Sequence, residues 1–127
     1  MDTFIIIILC GIILILLFTK NNKNSQLNNK NTIIKTLIRQ AARWSLAAEQ
    51  DSSPMVAVLH ANYGAGYLWA LRDIATDDEI KAATGIDILQ FRDKVTKVQD
   101  DATKKMVKVC PNYAPSNSYF GKIAGDI

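Results

Sequence analysis

Few side chains in this 127-residue chain suit acid–base, metal or nucleophilic chemistry, and the first to weigh is His60, the single histidine. An imidazole ionises near neutral pH, so it acts as a general base or a metal ligand wherever suitable partners converge on it. Around His60 no second histidine, cysteine pair or carboxylate stands at metal-ligand spacing. Asn62 is two residues on, and positions two apart on a helix face different ways, so it completes no dyad. A lone histidine in an apolar helix is expected to be a hydrogen-bonded core residue. Tyr63-Gly64-Ala65-Gly66-Tyr67 has the outline of a phosphate-cradling loop. No third glycine follows at the required spacing, however, no Gly-Lys-Ser/Thr is present, and no strand precedes it. Gly64 and Gly66 are read instead as points of close helix packing, or of a kink, kept although each costs about 1 kcal/mol relative to alanine. Thr76-Asp77-Asp78-Glu79 could pass for an acidic metal cluster, but a capping box accounts for all four residues. Cys10 and Cys110 lie far apart, the first inside an apolar run, and both are expected reduced. No catalytic residue, cofactor site or metal site is expected.

What positions these residues begins with Phe4 to Phe18, FIIIILCGIILILLF, which carries no charge. In hydrocarbon every backbone N–H and C=O must be satisfied internally, so a single run of this kind is a helix. At about 1.5 Å per residue, residues 3–19 cover roughly 25 Å, a little under the ~30 Å core of a bilayer. Lys20 can raise its ammonium to the headgroups and the bilayer can thin to meet the rest. A cleaved signal peptide would carry a basic segment ahead of the run and small residues at a cleavage site. Asp2 is the only charged residue before the run and no A-x-A pattern follows it, so residues 1–19 are expected to remain as a transmembrane anchor.

The net charge of +3 conceals an uneven distribution. Between Asp2 and Glu49 there is no acid, while Lys20, Lys23, Lys30, Lys35, Arg39 and Arg43 all fall in that interval. Cations flanking a span favour the cytoplasmic side, which predicts the N-terminus outside and the domain cytoplasmic or, in an enveloped particle, interior. The chain also holds no N-x-S/T acceptor, in keeping with a domain not exposed to glycosylation. Residues 20–31 are rich in Asn and Lys and nearly free of apolar groups, so a flexible linker is expected there. Lys35, Arg39 and Arg43 recur every four residues and share one helix face. That face is either simply solvated or, with Lys20 and Lys23, touches anionic lipid headgroups.

The remaining chain suffices for one small domain with a single core and excludes a two-lobed enzyme. Apolar residues at helical spacing predict a first helix over 32–50, broken by Asp51-Ser52-Ser53-Pro54, where Ser53 can cap and Pro54 suits the first helical position. The second, over 54–75, is apolar almost all round and so is expected to be central and buried. A short helix follows the capping box and ends at Gly85. Asp87 starts a last long helix whose seam is Ile88, Phe91, Val95, Val98, Ala102, Met106 and Val109. Its seam fits a globular core better than a coiled coil with a second copy. Cys110-Pro111 stops it, and 111–127, which holds Tyr113, Tyr119 and Phe120, is expected to be an irregular tail that either wraps the core or binds a partner. The fold class is thus all-α: one transmembrane helix, a flexible linker and a bundle of about four helices over 32–110.

Ala41-Ala42-Arg43-Trp44 and His60-Ala61-Asn62-Tyr63-Gly64-Ala65-Gly66-Tyr67-Leu68-Trp69 resemble small uncharacterised single-span membrane proteins of large double-stranded DNA viruses. The resemblance covers about a third of the chain, carries no catalytic motif, and implies a virion or viral-factory membrane as the place of action. Function is expected to be structural or interactive: an anchored module that presents helix faces to an unidentified protein partner, with homo-oligomers an open option. A membrane-tethered enzyme is the competing class, with His60 and scattered acids as its only resources. Nucleic-acid binding ranks lower, because no binding motif accompanies the basic segment and the charges beyond Glu49 nearly balance.

Overall fold

A computed structural model describes residues 2–112, with the side chain of Asp2 excepted. The expected tail contacts of Tyr113, Tyr119 and Phe120 lie outside the described residues. The chain is all-helical over that range: α1 spans Asp2–Gln50, α2 Pro54–Ile74, α3 Asp77–Thr84 and α4 Ile88–Val109.

The largest departure from the sequence reading is that residues 20–31 are not a flexible linker but the middle of α1, a helix of 49 residues. Helix formation is limited by its first turn, whereas propagation needs only one further hydrogen bond per residue. This tract has to nucleate nothing, since an apolar helical segment precedes it and a packed one follows. It contains neither glycine nor proline, and its asparagines cost at most about 0.7 kcal/mol each against alanine. Side chains reinforce the ladder, with the Thr32 hydroxyl donating to the Asn28 carbonyl at 3.0 Å and Thr19 to Leu16 at 2.9 Å. At the upper end of the tract the Lys30 ammonium meets the Glu79 carboxylate at 2.6 Å, tying α1 to the start of α3.

Beyond Lys30 one stripe of α1 is buried: Ile34, Ile38, Ala41, Ser45 and Ala48, in steps of four and three. It packs on the buried stripe of α2, which is Ala57, Val58, Ala61, Gly64, Ala65, Leu68 and Leu71. The two helices are antiparallel, and α4 returns alongside them. Ile88 and Val95 join Ile34, Leu68 and Leu71 in one cluster, while Ala102 and Met106 join Ala48, Ala57 and Ala61 in a second. Ile34, Leu68, Leu71 and Ile80 are the largest fully buried side chains, each worth about 1.5–3 kcal/mol of transfer free energy. α3 closes the end of the bundle that faces the apolar segment of α1.

Local signals set the ends. Both halves of the Thr76–Glu79 capping box are present, and Gly85 ends α3 at φ +74°, a left-handed conformation that favours glycine. The Asp87 carboxylate accepts from Leu89 N–H at 3.0 Å and Gln90 N–H at 3.1 Å. Ser53 stands at the N-cap of α2 and Pro54 in the first turn, but the Ser53 hydroxyl makes no cap bond; its backbone carbonyl accepts from Ala57 instead. Two further corrections concern burial. Val109 is 66 % exposed and is no part of the α4 seam. α2 is buried on one face only, because α1 and α4 cover adjacent sides of it and leave Leu59, Tyr63 and Trp69 about half exposed.

Glu79 carries both the capping box and the tie to α1. The hydrogen bond from Lys30 and then that from the Thr76 N–H hold its carboxyl below the ordinary glutamate value. A lowered carboxyl pKa adds stability that is complete above the unfolded value, near 4.3, and is lost as the pH falls through the folded one. The expected outcome for Glu79→Gln in the detergent-solubilised full chain is a lower melting temperature at pH 7. The gap from the parent should close on acidification below about pH 4; a gap independent of pH would contradict this role.

Candidate functional site

At the turn between α1 and α2 the fold gathers an aromatic and ionisable cluster from three segments. Trp44 comes from the last third of α1, Asp51 from the turn, and His60 and Tyr63 from α2. The His60 Nδ1 lies 2.6 Å from Asp51 Oδ2, and each side chain keeps about a quarter of its surface exposed. The Trp44 ring centroid is 5.0 Å from that of His60 and 5.2 Å from that of Tyr63, the latter pair meeting edge to face at 68°, a favoured aromatic geometry. His60 is thus hydrogen-bonded and half-buried rather than a core residue. The pairing of Asp51 with His60 has no signature in the sequence, because a separation of nine residues corresponds to no common helix face. Only the helix break at Ser52-Ser53-Pro54, which folds α2 back on α1, lets the two meet.

A carboxylate on Nδ1 fixes one imidazole tautomer and leaves Nε2 to act, which is the positioning half of an acid–base pair. Among the described residues no hydroxyl or thiol bonds to His60, and no group of three His, Cys, Asp or Glu side chains is placed to hold a metal ion. The arrangement stitches the end of the hairpin shut, and Trp44 and Tyr63 shield that stitch. Asn62 turns the other way and accepts from the Gln99 amide of α4 at 2.8 Å.

The two glycines divide. A Cβ on Gly64 would lie 2.6 Å from Ser45 Oγ and 3.2 Å from both Ala41 O and Ser45 N, so here the α1 and α2 backbones approach closely. The buried Ser45 hydroxyl has no hydrogen-bond partner among the described residues. At Gly66 a Cβ would meet nothing within 4 Å, and the residue is exposed. The close packing expected of Gly66 is therefore corrected: it lies on the outward face of α2, two residues round from the α1 contact.

Lys20, Lys23, Lys35, Arg39 and Arg43 are all exposed and none has an acidic partner among the described residues. Between α1 and α4 runs a half-open groove of about 310 Å³ with Leu46, Phe91 and Val98 in its lining and Glu49, Lys94 and Lys97 beside them. No protein-family model, curated protein or solved structure matches this chain.

The glycine geometry gives opposite expectations for one substitution made at two sites. Gly64→Ala should lower the melting temperature, overpacking costing about 1–3 kcal/mol. Ser45→Ala in the same chain should restore part of the loss, since it removes the 2.6 Å contact but neither backbone contact. Gly66→Ala should raise stability by about 0.4–1 kcal/mol through a less flexible unfolded chain. Thermal melts of the solubilised full chain decide, and a stabilising Gly64→Ala would refute the close crossing.

Proposed function

We propose that this chain is a single-pass membrane protein of structural or interactive function, in which one helix serves as both span and post for a bundle. The observation that carries the reading is α1 itself, whose apolar first part is solvent-exposed and whose last part is the bundle core. The span window has a mean hydropathy of 2.7 with none of it buried against the rest of the chain. Ile8 is 47 % exposed and Phe18 74 %, surface that a lipid phase would cover and water would not. A buried core helix would pass the same test of length and apolarity with its surface covered, and this one is bare.

Lys20 and Lys23 would then sit at the headgroup level, each gaining on the order of 1 kcal/mol from an anionic surface. With Lys20 at that boundary, Lys35 is 15 residues further along α1, about 22 Å at the helical rise, and Arg43 lies further still. Both distances exceed the ~8 Å screening length of physiological salt. Headgroup contact is accordingly assigned to Lys20 and Lys23, and Lys35, Arg39 and Arg43 are left to solvent or to a partner. The bundle begins at Lys30, which sets it about 15 Å above the boundary. The cations favour the domain on the cytoplasmic or particle-interior side. The resemblance of residues 41–44 and 60–69 supports a viral membrane as the one concerned. A tethered enzyme has one observation in its favour, the Asp51–His60 pair, to which no hydroxyl or thiol is bonded among the described residues.

Alkaline carbonate washing of membranes from cells that make the full chain tests the anchor. The chain should stay in the pellet at its full mass, and a variant lacking residues 3–19 should be soluble and cooperatively folded. Release of the full chain, or loss of the apolar run by cleavage, would refute the anchor. Digestion of a C-terminal tag by external protease in intact cells would reverse the orientation.

A further inference from the structure

α2 carries a second stripe on its outward side, where Tyr63 also meets Trp44 of α1 edge to face. Val56, Leu59, Tyr63, Gly66 and Ala70 recur in steps of three and four and are all exposed, with Trp69 flanking them. Leu59 is 48 %, Tyr63 47 % and Trp69 52 % exposed. From Met55 to Leu71 the only ionisable groups besides the two tyrosines are those of His60, and His60 faces Asp51 and Trp44. The spacing is that of a helix that meets another helix along a seam. We propose that this face of α2 binds the same face of a second copy, giving a parallel two-fold dimer whose axis runs along the membrane normal.

The inference rests on the anchored reading above, and four features select a second copy as the occupant. First, α2 lies antiparallel to α1 along its length, so the stripe runs up the post and not across a lipid surface; a membrane cannot cover it. Second, copies anchored through the same residues stand at the same height and in the same direction, which brings the two stripes together in register. Third, a two-fold contact opposes each residue to its own counterpart. An uncharged stripe matches itself, whereas the Lys35, Arg39 and Arg43 face would set cation against cation. Fourth, Gly66 is the low point of the stripe, where a Cβ would find open space, and Tyr63 and Trp69 flank it. A small residue between two aromatics lets backbones approach while the rings pack over the crossing.

The area is that of a small interface. About half of the 150–250 Å² that an aromatic side chain offers, from Tyr63 and Trp69 of two copies, gives roughly 300–500 Å². Val56, Leu59 and Ala70 raise the total toward the ~1,000 Å² of a specific interface. Confinement to one membrane lowers the requirement further by raising the effective concentration.

Cysteine crosslinking of the full chain, purified and reconstituted in lipid vesicles, tests the proposal with Cys10→Ala and Cys110→Ala as background. Val56→Cys and Ala70→Cys, made singly, should each form disulfide-linked dimers on mild oxidation, and Arg39→Cys on α1 should not. Adding Leu59→Lys should reduce the yield by about tenfold or more, because two ammonium groups would meet on the axis, while circular dichroism stays helical. Carbonate extraction of the same vesicles separates the two claims. A chain that stays in the membrane and does not crosslink at 56 or 70 overturns the dimer and leaves the anchor standing. Crosslinking as efficient at 39 as at 56, or indifferent to Leu59→Lys, overturns it as well. So does a crosslink found only in mixtures of the Val56→Cys and Ala70→Cys chains, which marks antiparallel pairing. Protection of both positions from a water-soluble thiol reagent without any crosslink would show that the chain's own residues cover the stripe, with the same consequence.

Discussion

The uninterrupted hydrogen-bond ladder of α1 is the constraint from which the rest of the molecule takes its position. Beyond its first turn the ladder leaves no free backbone donor or acceptor in the apolar part, which is what residence in hydrocarbon would demand. In its last part the same ladder holds Ile34, Ile38, Ala41 and Ala48 at the spacing that makes the bundle core. The stretch between belongs neither to the apolar segment nor to the core. It transmits geometry, and every side chain of the bundle has a defined height and azimuth relative to the apolar segment because that stretch does not uncoil. The Lys30–Glu79 contact, which also engages the cap of α3, sits where this transmission would first be lost.

The character of the bundle follows from small residues at the α1–α2 contact. Ala41, Ser45 and Ala48 face Ala57, Ala61, Gly64 and Ala65, so the backbones come close and the contact offers little volume for large side chains. Apolar mass is displaced to the two ends, where Leu68, Leu71 and Ile80 fill the lower core and Met106 the upper. The Ser45 hydroxyl, without a hydrogen-bond partner among the described residues, is the cost of that proximity, since a buried group without a hydrogen bond is destabilising by roughly 1–3 kcal/mol. α4 covers the hairpin from one side. Among the described residues nothing covers the opposite side of α2, which is why a helix apolar nearly all round ends with half of its surface outward.

Periodicity and caps made much of this visible in the residue order alone. The four helical domain segments, the capping box at Thr76, the glycine cap at Gly85 and the Asp87 cap are decided by residues within a few positions of one another, and local rules suffice for them. The tract 20–31 is helical against its composition, which argues for disorder when taken in isolation, because its conformation is set by helices on both sides. Gly64 and Gly66 are indistinguishable by type; only the azimuth of α2 relative to α1 separates a contact from a surface. The Asp51–His60 pair depends on the hairpin geometry and has no local signature. Trp44 gave no signal at all, since an aromatic on an amphipathic helix has many equivalent places to go.

The direct measure of the central claim is a pulsed electron-paramagnetic-resonance distance across the junction. Spin labels at Asn22→Cys and Arg43→Cys, with Cys10 and Cys110 replaced by alanine, are separated by 21 residues in the full chain reconstituted in lipid. A continuous helix places them about 32 Å apart, and a single narrow distribution at that distance is the predicted result. A broad distribution reaching to much shorter distances would mean that residues 22–31 uncoil between the apolar segment and the bundle, and would contradict the account.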